Sequence, residues 1–209
     1  VLSLLYGLKQ IDFFEFTNTI TSTSVYPYLI AFAVLVPVFV FVEKRAEDPI
    51  MNLSYFTNGR IVTTLAVAFA SGFVMMGIVF IPQFCENSLK VSSGNGGYFT
   101  VILGLLSGVS AMLSGKMIDK FGAKLVLLLG FSITIIGALF LIFVATVNPS
   151  MVTVIISLML LGFGMGFTIG APVNYMMLEN VDEKEANSGL ATLSLIRSIG
   201  TSIAPAIMV

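Results

Sequence analysis

The chain has 209 residues, 57% of them hydrophobic and 10% charged, with a formal net charge of −1; its mean hydropathy is +1.02. Soluble domains carry about a quarter charged residues, so there is too little charge here to coat a water-facing surface. That excludes a soluble globular domain and a disordered region. Basic residues number 10 against 11 acidic ones, which leaves no surplus to hold phosphates and excludes a nucleic-acid binder. The composition is that of an all-α, polytopic membrane protein.

Other counts narrow the chemistry. The absence of His removes His-based triads, His metal sites and imidazole proton relays. The single cysteine, Cys85, can form neither an internal disulfide nor a thiolate metal cage. No metal site and no cofactor are expected. With no Trp, tyrosine must supply any interfacial aromatic belt. The chain opens on Val1 and closes on Val209 inside an apolar run, so it is expected to be an internal piece of a longer protein.

A bilayer core of ~30 Å needs ~20 mostly apolar residues per helix. In chain order the sequence predicts the end of a transmembrane helix at 1–8 and full spans near 25–42, 61–81, 98–114, 125–147 and 151–177. A last span begins near 189 and runs to the end, which makes about six to seven transmembrane helices. The 151–177 span is ~40 Å long by helical rise, and Pro172 predicts a tilt or bend in it. Three segments result: 1–24, a helix end plus outer loop; 25–60, a helix and inner linker; and 61–209, the main bundle.

Orientation follows from the basic residues, which collect in cytoplasmic loops. Lys44, Arg45 and Arg60 precede the third span; Lys116, Lys120 and Lys124 lie between the fourth and fifth, and Lys184 between the sixth and seventh. The opposite loops hold only Lys9 and Lys90. Loops 43–60, 115–124 and 178–188 are therefore expected on the cytoplasmic side of a cell membrane. Tyr26, Tyr28 and Tyr98 then fall at outer span starts, as a belt requires. Residues 82–97 read as an outer loop ending in a Ser/Gly/Asn turn, and 49–56 as a segment on the inner membrane surface. The short 148–150 turn makes its flanking spans antiparallel neighbours.

The most informative segment is 115–124, GKMIDKFGAK. Gly115 and Gly122 allow a tight turn between helices. Asp119 stands among lysines, where it can cap a neighbouring helix and pair with a base; against a moving neighbour that contact is a gate. The alternative is a charged hairpin that only obeys the positive-inside rule. Gly162, Gly164, Gly166 and Gly170, and Gly104 with Gly108, lie inside apolar helices, so they suit close helix packing or bending rather than a phosphate cradle. Arg197 is the one charge well inside a span; it either faces a cavity or partner or snorkels to the interface. Asn174 beside Pro172 either lines a cavity or caps backbone freed by the proline. Ser71, Ser107, Ser110, Thr168, Thr192, Ser194 and Thr201 are milder polar candidates. Asp182 and Glu185 have capping-box-like spacing. No Asp or Glu lies in the apolar heart of a full span.

Segment 115–124 resembles the signature loop of the major facilitator superfamily, Gly-x-x-x-Asp-(Arg/Lys)-x-Gly-(Arg/Lys)-(Arg/Lys). Gly115, Asp119, Lys120, Gly122 and Lys124 match, and Ala123 departs. IPQF at 81–84, GFGMGFTIGAP at 162–172 and NSGLATLSLIRSIG at 187–200 are similar to segments of its fourteen-helix drug:proton antiporters. The resemblance implies a partial C-terminal half, with core helices seven to ten and part of eleven behind an inserted helix. It implies a transporter rather than an enzyme, whose halves rock around a central cavity. Its partners would be a small-molecule substrate, protons, the lipid bilayer and the missing N-terminal half, which must supply the titrating acids. It raises the gating reading of Asp119, and the fragment is expected to be inactive by itself. A different solute, or a non-transporting sensor or scaffold on the same fold, stands as the alternative.

Overall fold

The computed structural model describes Ser3, Gly7, Ser22, Arg45 and residues 25–43, 52–92 and 94–208. Most of the expected helix end at 1–8 and of loop 9–24, and 49–51 of the expected surface segment, lie outside these. Seven α-helices follow one another with no strand among the described residues. They are α1 (Tyr26–Glu43), α2 (Gly59–Leu89), α3 (Gly97–Phe121), α4 (Ala123–Phe140), α5 (Met151–Ile169), α6 (Ala171–Leu178) and α7 (Ala186–Met208). Short 3₁₀ turns sit at Leu53–Thr57 and Glu183–Glu185, and α4 continues into a π-helical turn, Leu141–Ala145.

Among the described residues five helices are long and apolar enough to cross a membrane: α1, α2, α3, α4 with its π turn, and α5 together with α6. They coincide with the five full spans read from the sequence. The seventh predicted span corresponds to α7, which is 23 residues long but is not among those five.

Three boundaries depart from expectation, each for a physical reason. Helix α2 does not stop at 81: it continues through Pro82 to Leu89, so the first part of the predicted outer loop is helical. Ile81 and Cys85 are buried in the core there, and that burial outweighs the hydrogen bond Pro82 cannot make. Helix α3 likewise runs past 114 to Phe121, so most of segment 115–124 is helix and not loop. Gly115 is inside that helix, and the turn belongs to Gly122 alone. The long span breaks at Gly170, where α5 ends and α6 begins with Pro172 in its first turn. Pro172 has no N–H for the carbonyl four residues back, so the expected bend is there as a clean break.

The chain forms two compact units: residues 1–73 with 181–209, and residues 74–180. Helix α2 is shared, its first part in one unit and the remainder in the other. In the first unit α1 is apolar all round and exposes Val34, Leu35, Val38 and Phe41, the pattern of a lipid-facing helix. The α2 and α7 backbones meet closely. A Cβ at Gly72 would strike the Arg197 carbonyl and lie 2.8 Å from the Thr201 nitrogen, and one at Gly200 would strike the Phe69 carbonyl.

In the second unit α5 is the central element, with α3 on one side and α4 on the other. Ser150 and Thr153 start it with reciprocal capping bonds. Gly130, Thr134 and Gly137 of α4 meet Phe167, Gly164 and Leu161 of α5, so these two helices are antiparallel, as the short turn predicted. Leu103, Ser107 and Ser114 of α3 meet Gly162, Gly166 and Gly170, so α3 and α5 run parallel. One core gathers Ile81, Cys85, Phe99, Leu103, Ala145, Val154, Leu158 and Met165. A second, at the Gly122 end, gathers Ile118, Ala123, Val126 and Phe167.

Candidate functional site

The signature segment is built from the ends of α3 and α4, joined by one residue. Gly122 has φ +80 and ψ 153, a backbone region open essentially to glycine, and its N–H bonds the Ile118 carbonyl at 2.8 Å. Ala123, the departure from the signature, is 4% exposed and packed with Ile118, Val126 and Phe167. A long basic side chain there would have to leave this core.

Asp119, Lys120 and Lys124 are exposed. Their placement runs against local helix electrostatics. Asp119 lies in the last turn of α3, at the negative end of the dipole, and Lys124 in the first turn of α4, at the positive end. Each arrangement costs about 0.3–1 kcal/mol where it is unscreened. Among the described residues neither Asp119 nor Lys124 has a hydrogen-bond or ion-pair partner, and the Lys120 ammonium lies 5.5 Å from the Phe121 ring centroid. Among the described residues nothing offsets the cost of Asp119 and Lys124 in these positions.

The glycines separate into two sets. Gly162, Gly164, Gly166 and Gly170 are packing residues. A Cβ at Gly162 would lie 2.5 Å from the Leu103 carbonyl, and one at Gly164 would lie 2.6 Å from the Thr134 nitrogen. A Cβ at Gly166 would strike the Ser110 hydroxyl and the Ser107 carbonyl, and one at Gly170 would lie 3.1 Å from the Ser114 hydroxyl. Gly104 and Gly108 are different: a Cβ on either meets nothing within 4 Å. Among the described residues nothing packs closely on them. With Met112 and Asp119 they share one exposed face of α3 at helical spacing.

Asn174 is exposed on α6 and has no hydrogen-bond partner among the described residues, so it does not cap the backbone freed by Pro172. Five of the seven milder candidates bond their own helix backbone. Ser71, Ser110, Thr168, Thr192 and Thr201 send their hydroxyls to carbonyls three or four residues back on their own helices. Arg197 is half-buried on α7, and its Nε and Nη2 are fully covered without an acceptor.

One cluster was not visible in the sequence. The Glu185 carboxylate accepts a hydrogen bond from the Asn52 amide and another from the Tyr55 hydroxyl, each at 3.1 Å. Asn52 also caps the 3₁₀ turn that carries Tyr55, accepting from the Ser54 N–H. The expected capping box is absent: Asp182 makes no side-chain cap bond, and Glu185 turns to the linker instead. Tyr55 is 2% exposed, and burial, reinforced by the Glu185 carboxylate, pushes its phenol above the ordinary tyrosine range. The partners are too far apart in sequence for local spacing to reveal them. Gly130 and Gly137 were also missed, although their two-turn spacing on one helix face was a usable signal.

Apolar spanning helices, backbones in contact through glycine, and a charged one-residue hinge define a multi-pass helical membrane protein. The chain belongs to the Major Facilitator Superfamily, whose family model matches residues 19–205. That family is one of transporters and not of enzymes. The chain is 32% identical to YfiU of Bacillus subtilis, an uncharacterized MFS-type transporter, over 98% of this chain and 40% of that protein. It is 25% identical to the lincomycin resistance protein LmrB of Listeria innocua over 90% of this chain and 40% of that protein. It is also 25% identical to the riboflavin transporter RibZ of Clostridioides difficile over 78% of this chain and 36% of that protein. The chain thus spans about two fifths of the length of the curated relatives it matches. No solved structure matches it significantly.

Proposed function

We propose that the chain is most of the C-terminal half of a secondary transporter that exports drug-like or amphipathic small molecules in exchange for protons by alternating access. The observation that carries the reading is the exposed face of α3, where Gly104, Gly108 and Met112 lead to an unpaired Asp119 at the Gly122 hinge. Residues of that shape suit a helix that approaches closely and then withdraws, and the carboxylate suits a contact made in one state and broken in the other. The partner is the remainder of a longer polypeptide. The segments 43–60, 115–124 and 178–188 face the cytoplasm, and proton-titrating acids reside in that remainder. LmrB supports a drug-like cargo, whereas RibZ favours a second reading, a transporter of another small solute on the same mechanism.

The test uses the full-length protein in inverted membrane vesicles energised by a proton gradient, with ethidium as the probe. Asp119→Asn at equal protein abundance is expected to slow ethidium movement at least tenfold, while Lys116→Gln leaves it nearly unchanged. Unchanged transport in Asp119→Asn overturns the gating role. Movement that persists after the gradient is collapsed overturns proton coupling, and no ethidium movement by the wild-type protein moves the reading to the second solute class.

A further inference from the structure

Arg197 is half-buried, and two of its three guanidinium nitrogens are covered without a partner. It stands ~16 Å along α7 from Ala186 by helical rise. Its backbone is at one of the points where α2 and α7 meet closely, because Gly72 brings α2 against the Arg197 carbonyl. That carbonyl is occupied, accepting from the Thr201 hydroxyl at 3.0 Å. The side chain is not: Nε and Nη2 are both covered by protein and neither has an acceptor. A snorkelling arginine ends with its nitrogens in water or among headgroups, and two of these three are enclosed.

The identity of the two orphaned atoms is informative. Nε–H and the adjacent Nη2–H lie on one edge of the planar guanidinium and point the same way. That edge matches the two oxygens of a carboxylate, which binds there through parallel charge-assisted bonds. The two helices that meet there do not supply it. Neither α7 nor the stretch of α2 from Arg60 to Phe73 contains an Asp or Glu. The nearby Ser71 hydroxyl is committed to the Ala68 carbonyl at 2.7 Å, and that of Thr192 to the Ser188 carbonyl at 2.9 Å. Two covered donors without an acceptor are costly, and an acceptor on that edge would relieve the cost.

We infer that the Nε/Nη2 edge of Arg197 is a carboxylate-binding site. The carboxylate comes either from an acidic side chain elsewhere in a longer polypeptide or from a carboxylate-bearing solute. The first source rests on the reading of this chain as part of a longer transporter, and the second does not.

The experiment measures the melting temperature of the detergent-solubilised full-length protein, which requires no transport, so its outcome is separate from that of the ethidium assay. Arg197→Met replaces the cation by an apolar chain of similar length. If an internal carboxylate sits on the edge, Arg197→Met strands it and the melting temperature falls by roughly 5 °C or more. One Asp→Asn or Glu→Gln change elsewhere in the spans then lowers wild-type stability but not that of Arg197→Met. If a solute carboxylate is the occupant, sodium benzoate raises the wild-type melting temperature and benzyl alcohol does not. Arg197→Met abolishes that shift and Arg197→Lys reduces it, since an ammonium keeps the charge but loses the two-bond edge. A rise in melting temperature in Arg197→Met, with no benzoate response and no coupled acid, means that no carboxylate is bound and overturns the inference. If Arg197→Met does not accumulate, the wild type and Arg197→Lys decide: no benzoate response in the wild type, together with no acid whose removal costs less in Arg197→Lys than in the wild type, also overturns it.

Discussion

Gly166→Ala is the sharpest structural test, because its cost can be set against a matched substitution on the facing helix. The added methyl would strike the Ser110 hydroxyl and the Ser107 carbonyl and sit 2.8 Å from the Ala111 nitrogen. Two of these three are backbone atoms of α3, which cannot rotate away, so α3 and α5 must separate. Overpacking of this kind costs about 1–3 kcal/mol, and a rigid backbone neighbour places it toward the upper end. Alanine's better helix propensity returns ~1 kcal/mol. The net loss of about 1–2 kcal/mol, at about 2–4 °C per kcal/mol, lowers the melting temperature by roughly 2–8 °C. Gly104→Ala has the same propensity gain and meets nothing within 4 Å, so it should raise the melting temperature slightly in the 209-residue chain. Cys85 supplies the assay: it is the single cysteine, it is 0% exposed, and it lies in the same core as Leu103 and Met165. A thiol-reactive fluorophore therefore reports the opening of that core on heating. A Gly166→Ala chain that labels at the wild-type temperature or above refutes the close-packing argument.

Other expectations follow from the hinge and the linker contact. Gly122→Ala forces a side chain into a backbone region that costs about 1–3 kcal/mol, so the same thiol assay should read a fall of several degrees, whereas Gly115→Ala, inside α3 with open space around it, should not. Tyr55→Phe removes one of the two hydrogen bonds to Glu185, worth about 0.5–1.5 kcal/mol, and should speed tryptic cleavage after the exposed Lys184 in the adjoining turn. Because the folded phenol titrates above the ordinary value of 10.0, its contribution is complete below that pH and is lost as the pH rises through the raised value. The alkaline difference spectrum between wild type and Tyr55→Phe should accordingly show a phenolate forming later than in an unfolded control. Coincident titrations would rule out the buried placement of Tyr55.

The sequence by itself determined the membrane class, the five full spans, their antiparallel hairpin at 148–150 and the resemblance carried by Asp119, Gly122 and their lysines. These are legible because lipid imposes a local rule: each apolar stretch must satisfy its own backbone, so length and hydropathy suffice. Boundaries were less legible at Pro82 and Gly115, where burial of Cys85 and the continuation of α3 override the local signals for a break. The glycines show the limit most clearly. Gly104 and Gly166 look alike in sequence, and only packing separates them, since one faces open space and the other the backbone of α3. Glu185 looked like a cap and instead holds a linker far away in sequence, and Arg197 looked equally able to snorkel or to be held. Each of those assignments depends on which side chains from distant segments arrive at the same place, and that is decided by how the helices pack.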